Sequence, residues 1–215
     1  MAGSSSIQRY TFDDGRIYTD GTAWMPSVSE VLSVRDEPPG LRKWKSRTTE
    51  LERKEKQFYT QNRGTLVHYH LLSQLVDEEF WSPDEQSSRE CLKGKKDHEG
   101  TGLTGGYETW QNFESDLEWA KDTWSLIQKV NGIYPENTLD VELYVKNTDV
   151  GYAGQFDLLY ADGTDVVLAD LKTSKRVYDK HIMQCVAYAH AVDIVVDRME
   201  VIRLNPDGQT WEVSS

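Results

Sequence analysis

Hydrophobic residues along this chain follow two periods, and the changes of period mark its elements. Alternation is cleanest at residues 139–145, where Leu139, Val141, Leu143 and Val145 share one face and Asp140, Glu142 and Tyr144 the other; this predicts a strand. Residues 152–160 and 165–172 are more continuously apolar and are joined by Ala161-Asp162-Gly163, which predicts two strands and a turn. Residues 199–204 and 210–213 form a second pair around Asn205-Pro206-Asp207-Gly208. Helical spacing governs residues 64–76 (Leu66, Val67, Leu71, Leu72, Leu75), 110–130 (Trp110, Phe113, Leu117, Trp124, Ile127) and 179–192, where Ile182, Val186 and Ala189 are expected inward.

The N-terminal region is patterned less strongly. Residues 7–24 predict a small hairpin carrying Tyr10, Phe12, Ile17 and Tyr18, with Asp14-Gly15 or Asp20-Gly21 at its turn. Ser27-x-x-Glu30 is a capping box that should start a helix at Val28, and Pro38-Pro39-Gly40 breaks it. Residues 41–59 are charged and helix-compatible, with Leu41, Trp44 and Leu51 as sparse anchors. Residues 77–107, rich in Glu, Ser, Lys and Gly, are expected to form an exposed, mobile insertion. The whole predicts one α/β (α+β) domain over residues 1–215: an N-terminal hairpin and helical region (1–63), the insertion, and a core (136–215) with a central mixed sheet flanked by helices.

Composition narrows the class. A hydrophobic fraction of 38% with seven Trp and eleven Tyr implies a folded core. No apolar run reaches the roughly eighteen residues of a membrane span, and the first residues lack the pattern of a signal peptide. Cys91 and Cys185 are the only cysteines, which suits a reducing cytoplasm and rules out a four-thiolate iron–sulfur cluster. The net charge of −12 runs against a nucleic-acid partner. The basic residues are clustered, however: Arg42, Lys43, Lys45, Arg47, Arg53, Lys54, Lys56 and Arg63 lie close together, with Lys93, Lys95 and Lys96 as a second group.

The candidate chemistry lies at the end of the 165–172 run. Asp170 and Lys172 are two apart and so share a strand face, and Asp157 in the preceding run can bring a second carboxylate to them. Two acids and a lysine at the end of a buried hairpin form a metal-and-water site or a plain salt bridge. Glu52-x-Lys54 has the same spacing without an apolar strand before it. His68 on the 64–76 helix is either a packed histidine or a ligand. Gln184 and Tyr188 are four apart and share a helical face.

Gly154-x-x-Asp157, Asp170-x-Lys172-Thr173 and Gln184-x-x-x-Tyr188, in that order, resemble the signature of the PD-(D/E)xK nucleases in their RecB-like exonuclease branch. Gly64-x-x-x-His68 resembles that branch's upstream histidine element. Residues 26–32 with Leu41-x-x-Trp44 are similar to the start of the mitochondrial genome-maintenance exonucleases and their phage and archaeal relatives. The resemblance implies a restriction-endonuclease-like core. It implies Asp157, Asp170 and Lys172 as catalytic residues, and Mg²⁺ or Mn²⁺ on His68, Asp157, Asp170 and the Leu171 carbonyl. Glu142, Thr173, Gln184 and Tyr188 would support the site or touch DNA. The implied activity is exonuclease action at single-stranded DNA ends in replication, repair or recombination, with a recombination or replication protein as a further partner. A structure-selective endonuclease or a non-catalytic DNA-binding adaptor is the alternative.

Overall fold

A three-stranded antiparallel sheet opens the chain in the computed structural model, which describes residues 7–12, 15–34, 39–76, 84–98 and 100–215. Its strands are β1 (Gln8–Phe12), β2 (Gly15–Thr19) and β3 (Trp24–Pro26). Helix α1 (Val28–Ser33) begins at the expected capping box, with Ser27 and Glu30 bonded reciprocally. Short α2 (Pro39–Lys45) buries no residue. The predicted 64–76 helix is the second half of a much longer one, α3 (Glu50–Leu72), started by a second capping box between Thr49 and Glu52. Asp14, Pro38 and residues 77–83, which figure in the expected turn, break and insertion, lie outside the described residues.

Within the expected insertion, residues 85–92 instead form helix α4 (Glu85–Leu92), with Cys91 and Leu92 buried in the main core. The local composition is polar because only one side of this short helix meets the core. Helix α5 (Tyr107–Asn131) buries the expected Phe113, Leu117, Trp124 and Ile127, while Trp110 is packed at the edge.

The 139–145 stretch is not one strand. It divides into β4 (Thr138–Val141) and β5 (Tyr144–Asn147) at Glu142, whose φ of 52° lies in the left-handed region. Leu139, at a register shift in β4, and Leu143, beyond the kink, are exposed, whereas Val141 and Val145, expected on the same face, are packed. The 152–160 run likewise divides into β6 (Tyr152–Gln155) and β7 (Leu158–Asp162), with Phe156 and Asp157 between them. β6 pairs with β5 in a two-stranded ribbon, whereas β7 pairs with β4 and β8 (Asp165–Lys172).

The main sheet runs β10-β9-β8-β7-β4, where β9 is Arg198–Asn205 and β10 is Thr210–Ser214. Only β8–β9 is parallel, and α6 (Asp179–Ala189) makes the crossover. The architecture is α+β with a mixed sheet. Alternation along β8 sends Val167, Ala169 and Leu171 into a core with α3, α4 and α5, while Leu168 packs on the opposite face against Cys185 and Tyr188 of α6. Both faces of the central strand are therefore buried, which explains its continuous apolar run.

Helix α6 turns a different face inward from the one expected. His181, Cys185 and Tyr188 are buried, while Ile182 and Val186 are exposed. A small third core, built on Tyr18, Met25 and Ala153, ties the N-terminal sheet to the β5–β6 ribbon. No helix among the described residues is long and apolar enough to cross a membrane.

Candidate metal centre

Asp170 and Lys172 leave the end of β8 on one face, as the alternation requires, and Lys172 Nζ lies 2.6 Å from Asp170 Oδ2. Asp170 is 1% exposed, and its Oδ1 is buried with no hydrogen-bond partner among the described residues. Asp157, in the break between β6 and β7, accepts the Leu171 backbone N–H on Oδ2 at 2.6 Å. That bond fixes its carboxylate beside the end of β8.

The kink at Glu142 serves the same place. The Glu142 N–H donates to the Asp157 carbonyl at 3.0 Å, and the Gln155 side-chain amide donates to the Glu142 carbonyl at 2.9 Å. These two bonds hold a backbone conformation that a non-glycine residue adopts at a cost of about 1–3 kcal/mol. Helix α3 supplies His68 from the other side, with Nδ1 3.7 Å from Asp157 Oδ2. One ligand atom each from His68, Glu142 and Asp157 fall within 4.8 Å of one another. Asp170 is not in that trio; it stands next to it, engaged with Lys172.

Side chains approach the backbone closely at two glycines. A Cβ on Gly154 would lie 2.5 Å from Tyr188 Cε1, so the phenol packs directly on the backbone of β6. A Cβ on Gly64 would stand 3.3 Å from Thr173 Oγ1, which places Thr173 against α3. Gln184 donates to the Tyr188 hydroxyl at 2.8 Å, and both border a polar cleft of about 300 Å³ above the centre.

Negative charge is crowded here. Burial, then the charge of Asp157, pushes the Glu142 carboxyl up to about 8. Burial raises Asp170 to about 6; Lys172 opposes the rise and Asp157 adds to it. Asp157 is raised by burial as well. Burial pulls Lys172 down, but Asp170 and Asp157 outweigh it and leave the ammonium above its ordinary value. Burial, then Lys172, lowers His68 to about 4, so its ring is neutral near pH 7 and has a nitrogen lone pair to offer. An oxygen-rich donor set with one imidazole, short of positive charge, fits a hard divalent cation.

The structure thus gathers His68, Asp157, Asp170, Lys172 and Glu142, with Gln184, Tyr188 and Thr173 around them. Glu142, expected as a supporting residue, stands among the potential ligands. Sequence reasoning missed Arg9, Arg16 and Gln155, which line the cleft. The available signal was the alternation in β1 and β2, which turns Arg9 and Arg16 away from exposed Tyr10 and Phe12. The chain matches no protein-family model and no curated protein.

Proposed function

We propose that this protein is a metal-dependent deoxyribonuclease that hydrolyses phosphodiester bonds at single-stranded ends. The observation that carries this reading is the His68–Glu142–Asp157 trio beside the Asp170–Lys172 pair at the floor of a polar cleft. The resemblance to the RecB-like PD-(D/E)xK nucleases supports it too, through the order of the motifs that carry these residues. His68, Glu142 and Asp157 would hold Mg²⁺ or Mn²⁺, with Asp170 adjacent; the ion would supply Lewis acidity at a phosphodiester.

The protein's own groups then have distinct tasks. Lys172 Nζ, kept charged by Asp170, offsets negative charge as it develops on the phosphoryl oxygens. Asp170 orients that ammonium, and the Leu171 N–H orients Asp157. Gln184 and Tyr188 offer polar atoms on the cleft wall to the neighbouring nucleotide.

The test is cleavage of end-labelled single-stranded, duplex and covalently closed circular DNA with Mg²⁺, Mn²⁺ or EDTA, beside Lys172→Ala protein. Metal-dependent loss of linear single strands, absent in the variant, is the expected result. Cutting of circles would convert the reading to an endonuclease. DNA bound but never cut would make the protein a binding adaptor.

A further inference from the structure

The cleft wall near Glu142 carries charge that the proposed chemistry does not use. In the β1–β2 register Arg9 faces Tyr18 and Thr11 faces Arg16, so both guanidinium groups leave the same face of the N-terminal sheet and border the cleft. Arg9 is held tightly. Its Nη2 donates to Asp84 Oδ2 at 2.9 Å, and its Nη1 reaches Gln155 Oε1 at 3.4 Å. Gln155 in turn bonds the backbone of Glu142, so Arg9 is linked through Gln155 to one member of the trio.

The Arg9–Asp84 pair is asymmetric. The Arg9 side chain is 10% exposed and the Asp84 side chain 44% exposed. A buried guanidinium left without an anion is costly, whereas a carboxylate near water loses little when released. Any anion able to enter the cleft and accept a forked pair of N–H bonds can therefore take the place of Asp84, and phosphate oxygens match that fork.

We propose that Arg9 and Arg16 form a phosphate-binding wall that Asp84 occupies in the free protein, and that a nucleic-acid phosphate displaces Asp84 on binding. This rests on the nuclease reading above. Asp84 then acts as a built-in competitor: it keeps Arg9 satisfied when the cleft is empty and sets a threshold for binding. The phosphate is either a terminal monoester or an internal diester of the strand.

The experiment is fluorescence anisotropy of labelled single-stranded oligonucleotides, with 5′-phosphate or 5′-hydroxyl ends, in EDTA so that binding is read apart from cleavage. Asp84→Asn should tighten binding severalfold. Arg9→Gln should weaken it about tenfold and reduce the slope of log affinity on log salt by about one. The double variant should match Arg9→Gln alone, because Asp84 acts only through Arg9. A 5′-phosphate advantage lost in Arg9→Gln assigns the terminal monoester; equal loss for both oligonucleotides assigns the internal diester. If Arg9→Gln fails to fold, Asp84→Asn and Arg16→Gln still test the proposal. Wild-type protein that cuts DNA, with Asp84→Asn binding unchanged, weakened, or tightened equally in the Arg9→Gln background, would overturn this inference alone. Wild-type protein that neither binds nor cuts DNA would overturn the nuclease reading as well.

Discussion

Two clusters of buried charge lie on helix α3, built from the same ingredients with opposite balance. Arg63 is 2% exposed and is shared between Asp116 at 2.7 Å and Asp207 at 2.6 Å. The Tyr59 hydroxyl bonds Asp116, and Lys56 reaches Asp207 at 3.3 Å. Burial pushes the Asp207 carboxyl up, but its bonds to Arg63 pull it below the ordinary value. In the other cluster, one turn and a half along the helix, Glu142, Asp157 and Asp170 meet Lys172 and a neutral His68, and all three carboxyls are raised. The Arg63 cluster has its cations and locks α3 to α5 and to the turn at 206–208. The second sets three raised carboxyls around one ammonium, that of Lys172; under the proposed function a bound cation would make up the difference.

That contrast is open to direct attack. Asp157→Asn and Asp170→Asn should each reduce metal-dependent cleavage at least about 10³-fold; Asp157→Asn, which removes a crowded charge, should leave melting unchanged or raised, whereas Asp170→Asn, which takes the nearest anion from buried Lys172, should lower it without unfolding the protein. Retained cleavage, or collapse of the fold, would make the centre a structural cluster like the first. Arg63→Ala should lower stability by about 3 kcal/mol or more, because two carboxylates lose their buried partner. Denaturant titration reads this, and an unchanged midpoint would break the comparison from the other side. Mg²⁺ at a hundred times its dissociation constant should stabilise the wild type by about 2.7 kcal/mol, and Glu142→Gln protein by much less. The last test is of pH. Folding raises Glu142 from 4.5 to about 8, so the folded state holds a proton that the unfolded chain has released. The resulting stabilisation is present below about pH 4.5 and is lost as pH rises through about 8. In EDTA the melting temperature should therefore fall between pH 5 and 8 more steeply for the wild type than for Glu142→Gln.

How much was legible in the sequence depended on whether water or the core set the pattern. β8 could be read because both its faces meet the core, so an acid and a lysine at its end were conspicuous. The inward side of α6 could not, because part of it faces a polar cleft: Gln184 and Tyr188 line the site while Ile182 is exposed. Glu142 carried no local sign of a left-handed backbone. Its conformation is fixed by Asp157 and Gln155, more than ten residues away, and a hydrogen bond between strands leaves no trace in residue type. Helix α4 was hidden for a related reason, since Cys91 and Leu92 anchor it within otherwise polar sequence.

The third, small core gives the molecule an uneven resistance to opening. Among the described residues, the N-terminal sheet and the ribbon bury Tyr18, Met25 and Ala153 between them, with Ile7 and Tyr144 packed alongside, against the extensive packing on β8. Local unfolding free energies follow such differences. Backbone amides of β1–β3 should exchange with solvent well before those of β8 and β9. A protease acting on the native protein should cut the N-terminal sheet first, removing Arg9 and Arg16 from the cleft and leaving the main sheet folded beneath it.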